Sequence, residues 1–140
     1  MTNRTSKTVV TEAWRAFATR DPARIAPYFA EQAEWIAPAA NATAEALKIT
    51  SHMVGRDAIV RFLCEDFPRL FVADVTVDFR GVYADGSVVI VEETMRATLS
   101  SGRHYENDYC LVFRVADDQI TQVREYMDTQ RGARCIFGEA

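Results

Sequence analysis

Two glutamates, Glu93 and Glu125, are the residues of this chain best suited to acid/base chemistry. Each stands where an apolar residue is expected. Glu93 shares the parity of Val89, Val91 and Met95, and Glu125 that of Val123 and Met127. Side chains alternate across a strand, so both carboxyls are expected to face an apolar interior. Burial raises a carboxyl pKa, and a second carboxyl nearby raises it further, which suits a general acid or base. Glu92 precedes Glu93 directly, and a bulge in that strand would turn Glu92 inward instead. Three further polar groups, Tyr105, Asn107 and Tyr109, share one parity with Leu111, Phe113 and Val115. The apolar members of that row fill a core, and the polar members line a pocket and orient a ligand. His52, ahead of Gly55, is a titratable group near neutral pH on a loop that could reach the pocket mouth. As an alternative, it is a solvated or hydrogen-bonding strut.

Four long segments of period two supply these positions: Leu70–Ala84, Ser87–Ser100, Arg103–Ala116 and Gln119–Asp128. Asp85-Gly86, Ser101-Gly102 and Asp117-Asp118 are the expected turns between them. Ahead of these the period is helical. Val9, Val10, Ala13, Trp14 and Phe17 form one face of a helix over Thr8–Thr19, and Asp21 caps a short helix that starts at Pro22. Glu34–Ala37 reads as a short strand around Trp35, and Pro38–Ser51 as a loop or short helix that covers something. A third helix opens at Gly55, buries Ile59, Phe62, Leu63 and Phe67, and is expected to end at Pro68. The expected class is α+β, with three N-terminal helices on one face of a curved antiparallel sheet. Trp14 and Trp35 would add apolar walls to the pocket, and Met127 would join the ligand-binding set.

The chain has 140 residues, 49% of them hydrophobic and 26% charged, which fits a single globular domain over 1–140. A net charge of −4 and no cluster of Lys and Arg argue against nucleic acid as a partner. The N-terminus lacks the apolar core of a secretory signal, and no apolar run approaches the roughly 20 residues of a membrane helix. The three cysteines are isolated and odd in number, which predicts reduced thiols and a cytoplasmic location. Cys64 and Cys110 sit among apolar residues and read as core, and Cys135 as the more reactive thiol. His52 and His104 lie far apart without clustered ligands, so no metal and no cofactor is expected.

Three groups of residues together resemble the nuclear transport factor 2-like superfamily, in its SnoaL-like and ketosteroid-isomerase-like branch. They are Trp14, Phe17, Asp21 and Tyr28 through Trp35; Gly55 through Ile59; and Tyr105, Asn107, Tyr109, Phe113 through Val115 and Val123 through Asp128. The resemblance implies a cone-shaped (cystatin-like) sheet around a small-molecule pocket, and a homodimer through the outer sheet face. That face would carry His104, Glu106, Cys110, Val112, Arg114, Arg124 and Tyr126. The family includes isomerases, polyketide cyclases, epoxide hydrolases and dehydratases. The general-base aspartate of the ketosteroid isomerases falls here at Ala37, their helix-1 tyrosine at Trp14, and their second acid at about Leu111. The Arg-x-Asp pair of limonene-epoxide hydrolases falls near Glu93 and Met95, and their last-strand acid has a counterpart in Glu125. The family's known catalytic sets are therefore not intact. Two functions follow: cofactor-independent acid/base chemistry on a small apolar or partly polar molecule, or a non-catalytic ligand- or partner-binding dimer.

Overall fold

A computed structural model describes residues 5–138. Helix α1 (Ser6–Thr19) is capped by the Thr5 hydroxyl and buries Val9, Val10, Ala13 and Phe17. The short helix α2 (Pro22–Ile25) has Asp21 as its cap, the side chain accepting from the Ala23 N–H. Strand β1 (Phe29–Ile36) follows, then α3 (Ala42–Leu47) and β2 (His52–Val54). Helix α4 (Arg56–Arg61) passes through a π-helical turn (Phe62–Asp66) into α5 (Phe67–Leu70). The four long strands are β3 (Phe71–Asp85), β4 (Val88–Leu99), β5 (His104–Ala116) and β6 (Gln119–Met127), and α6 (Thr129–Phe137) closes the described chain.

These elements form one six-stranded curved sheet in the order β2-β1-β6-β5-β4-β3. The class is α+β as the sequence predicts, and the four long strands lie within a residue or two of their predicted bounds. The sheet is mixed rather than purely antiparallel, because β1 pairs parallel to β6. Strand β1 also begins earlier than its sequence shows. The register shifts between Phe29 and Glu34, and that irregularity hides the alternation that places Phe29, Ala33 and Trp35 inside. Pro68 does not end the third helix. The π turn finishes with the Phe67 N–H bonded to the Phe62 carbonyl, and a new helix starts in which Pro68 occupies the first turn, where its missing N–H costs nothing. The first hairpin turn is centred on Gly86 and Ser87, since Asp85 pairs directly with Val88. Asp117 and Asp118 form the other two-residue turn, both at positive φ (52° and 62°).

Helix α6 has no counterpart in the sequence reading. Gly132 weakens its helical signal, yet a Cβ there would sit 3.2 Å from the Asn107 side-chain nitrogen, so α6 lies close against β5 at this glycine. The interior has two apolar clusters. One joins α1 and β1 to Val89, Val91, Leu111, Phe113 and Val123. The other joins α3, α5 and α6 to Phe71, Met95, Ala97, Leu99 and Tyr105. Phe113 is fully buried and packs edge-on against Trp14 (5.7 Å between ring centres) and Trp35 (6.5 Å). Replacing Phe113 by Ala is expected to cost about 3–5 kcal/mol in urea unfolding and to weaken the near-ultraviolet tryptophan signal, because both walls lose their support.

Candidate active site

Between the two apolar clusters lies a cavity of about 120 Å³. Strand β4 shows why it is there. Val89 and Val91 belong to one cluster, Met95 and Ala97 to the other, and Glu93 falls between them on the same face. Strand β5 repeats the pattern, with Leu111 and Phe113 on one side of Tyr109 and Tyr105 on the other. Glu93 pairs across the ladder with Tyr109, and Leu111 pairs with Glu125 on β6. Glu93, Glu125 and Tyr109 thus reach one cavity from three adjacent strands. Trp14 and Trp35 supply walls from α1 and β1, and α3 with its flanking loops covers the space, as Asn41, Thr43 and Ser51 do.

Glu93 is buried and Glu125 half-buried. Burial, reinforced by the negative charge of Glu125, pushes the Glu93 carboxyl up to about 8. Glu125 is pushed up to about 7 by burial, opposed by a hydrogen bond that favours its ionised form. The bond is donated by the Trp35 indole, whose Nε1–H reaches Glu125 Oε1 at 2.9 Å. Glu93 Oε2 is buried and takes no hydrogen bond from the described residues. Burial also raises the Tyr109 hydroxyl well above its ordinary value, so it stays protonated.

The Tyr109 hydroxyl is held from behind by two buried residues, Tyr105 and Asn107. Asn107 accepts the Asp108 N–H at its side-chain oxygen, so its NH₂ group donates to the Asp128 carbonyl (3.0 Å) and to the Tyr105 hydroxyl oxygen (3.2 Å). Tyr105 is fully buried and its hydroxyl lies 2.5 Å from that of Tyr109. Buried O–H groups find an acceptor, and Tyr109 is the one Tyr105 has among the described residues. Either hydroxyl can be the donor in that bond; when Tyr105 donates, the Tyr109 O–H is free to donate into the cavity.

Of the residues singled out in the sequence, Glu93, Glu125, Trp14, Trp35 and Tyr109 meet at the cavity wall. Tyr105 and Asn107 are buried behind Tyr109 and act on it rather than on the cavity. Met127 is half-buried opposite Tyr109 in the ladder and is not on the wall. His52 does not reach the cavity either. Its neighbour Met53 faces inward, so alternation turns His52 out, where its Nε2 lies 2.9 Å from Glu34 Oε1. Ala37 and Leu111 are both on the wall, at the positions where the resemblance places other proteins' acids. Arg20 and Asn41 line the cavity without a prior signal, because they stand at helix ends that no period in the sequence announces; Phe62, expected on the buried face of the third helix, reaches the wall from the π turn. Cys64, Cys110 and Cys135 are all free and half-buried, and the Cys135 thiol points to the Glu106 carbonyl. Among the described residues no group of three or more His, Cys, Asp or Glu side chains could hold a metal ion. Nor is any of their helices long and apolar enough to cross a membrane.

Residues 10–123 match the family model of the SnoaL-like domain. The chain belongs to that family. Solved structures agree on the fold. A nuclear transport factor 2-like protein of unknown function from Burkholderia pseudomallei K96243 superposes with a TM-score of 0.81 at 19% identity, over 95% of this chain and 98% of its own. TerC, co-crystallised with polyporic acid, gives 0.79 at 19% identity over 94% and 98%. An LEH-like epoxide hydrolase from M. tuberculosis gives 0.73 at 18% over 94% and 89%. Comparison with curated proteins finds no sequence match.

The raised carboxyls tie stability to pH. Folded Glu93 binds its proton more tightly than an unfolded glutamate does, so its contribution is complete below about pH 4.5 and is lost as pH rises toward about 8. Chemical unfolding at pH 5 and pH 9 is expected to show the native protein weakening on the alkaline side. Glu93→Gln should flatten that slope, by an amount on the order of a few kcal/mol at pH 9.

Proposed function

We propose that this SnoaL-like protein is an enzyme that moves protons on a small, largely apolar molecule without a cofactor, as isomerases, polyketide cyclases and hydratases or hydrolases do. The observation that carries the reading is Glu93, a buried carboxyl with one oxygen unbonded by the described residues and facing an apolar cavity. Buried carboxyl oxygens ordinarily have a hydrogen-bond partner, and a ligand in the cavity would supply one. Near neutral pH the pair divides its roles. Glu125, with one oxygen anchored by Trp35, is the group more readily ionised and serves as the base. Glu93 keeps its proton and serves as the acid. Tyr109 donates to oxygen charge that develops on the substrate, oriented from behind by Tyr105 and Asn107. Trp14 and Trp35 hold the apolar body and exclude water. After one turnover a proton has moved onto Glu125 and another off Glu93, and transfer between the two restores the starting state.

The polyporic acid bound by TerC and the activity named for the mycobacterial epoxide hydrolase support a small organic ligand in this fold. Ligand binding without turnover is the second reading, favoured by the apolar Ala37 and Leu111 on the wall. A panel of enolisable ketones and epoxides, followed by deuterium incorporation or ring opening, separates the two. Glu125→Gln is expected to lose about 10²–10⁴-fold in turnover, the ordinary worth of a general base. Turnover unchanged in that variant would remove Glu125 from the chemistry.

A homodimer through the outer sheet face belongs to the same proposal. Tyr83, Ile90, Val112 and Arg124 stand in one row across four strands on that face, with Tyr126 nearby, and Tyr83, Ile90 and Tyr126 are exposed. Such a row needs a cover, and a two-fold copy supplies one. The free thiols are in keeping with a cytoplasmic location. Sedimentation is expected to show a dimer at micromolar concentration that Tyr126→Glu dissociates; a monomeric native protein would refute this.

A further inference from the structure

The cavity holds a cation that the acid/base reading leaves unused. Arg20 lies on the cavity wall together with Trp14 and Phe17, and the same three residues line a second, larger groove of about 650 Å³ between α1 and β3. That groove is otherwise mostly apolar, with Val75, Val77, Phe79 and Val91 among its walls. Arg20 therefore stands where the inner cavity meets the outer groove.

Its surroundings are unusual for a charge. The side chain is half-buried, and burial pulls its pKa down, the direction expected of a desolvated cation. Buried charges are ordinarily paired. Arg20 has no ion pair among the described residues, although acids stand close in sequence and space. Asp21 is turned to cap α2 and lies 3.9 Å from Arg24, Glu65 pairs with Arg61 at 3.4 Å, and Asp66 pairs with Arg69 at 3.1 Å. The guanidinium is instead fixed by neutral groups: Nη1 donates to the Leu63 carbonyl at 3.1 Å, and Cζ lies 4.3 Å from the centre of the Phe67 ring. These contacts orient it and leave other N–H donors uncommitted. Arg20 ends α1 at φ 54°, a left-handed helix end that Lys48 repeats at the end of α3, and this turn sends the side chain toward the π turn.

We propose that Arg20 is the anion-recognition group of this cavity, and that the ligand is an organic carboxylate whose apolar body lies against Trp14 and Phe17. A carboxylate matches the planar fork of a guanidinium in a way an amide or alcohol does not. The proposal rests on the reading of the cavity as the substrate site and adds the substrate's class. The competing role for Arg20 is a strut that clamps the end of α1 to the π turn through Leu63. A strut is indifferent to the charge of what fills the cavity.

The test compares 2-naphthoate with 2-naphthamide, near-identical in shape and different in charge, by titration calorimetry. The Trp14 indole N–H resonance reports where they bind. The native protein is expected to prefer the carboxylate by about tenfold or more. Arg20→Gln should lower naphthoate affinity to the level of the amide while leaving the amide unchanged, and Arg20→Lys should keep part of the preference. Arg20→Gly, which suits the left-handed backbone, repeats the loss. Equal binding of the two probes by the native protein, binding of neither, or a preference that survives Arg20→Gln would overturn the proposal. Glu125→Gln should keep the preference, so a failed acid/base assignment and a failed anion site give different results.

Discussion

The constraint on which the rest of this structure depends is the cost of holding two carboxyls in a dry layer. Glu93 and Glu125 lie between two apolar clusters, and most of the wall around them is apolar. A layer of this kind lasts only on a rigid frame, because local opening would rehydrate the acids and remove their raised pKa values. The frame is the ladder between β4 and β5, which runs from Val88 and Arg114 to Thr98 and His104 without a shift in register. The β3–β4, β5–β6 and β1–β6 ladders each carry an irregularity, and they provide the curvature that turns the flanking strands around the cavity.

Strand β5 works on both of its faces. Its inward residues run from core into the Tyr105–Asn107–Tyr109 network. Its outward residues Glu106 and Asp108 bind Arg131 of α6, at 2.6 and 3.3 Å. Glu106 also binds Arg96, which in turn binds Asp78, so β3, β4, β5 and α6 share one chain of ion pairs. Single exposed pairs contribute little to stability, but this chain fixes where α6 lies. Helix α6 in turn rests Gly132 on Asn107, and Asp128 at its start accepts the Asn107 N–H. The anchoring of the Tyr105–Tyr109 pair thus depends on the docking of a helix that is not itself part of the cavity wall.

Much of the site was legible because strands speak plainly. Alternation over Val89 to Met95 and over Tyr105 to Val115 told inside from outside, and no bulge falls between β4 and β5 to disturb it. It failed where the backbone leaves a period. The shift within β1 hid the start of that strand at Phe29, and the π turn moved the expected end of the third helix beyond Pro68. His52 was misplaced for a related reason. A loop residue next to a helix start has no parity until β2 is known to pair with β1, and that pairing turns it toward Glu34.

By itself the sequence determined the α+β class, the long strands and the inward parity of Glu93, Glu125 and Tyr109, since each follows from local alternation and turn chemistry. Tertiary structure alone decided which polar groups share a cavity. Trp35 and Glu125 are far apart in the chain, and their hydrogen bond exists because β1 runs parallel to β6. Arg20 reaches the cavity only because α1 ends beside the π turn. Burial, the anchoring of Tyr109 and the unpaired cation depend on contacts across long stretches of chain, and no local pattern of residue types records them.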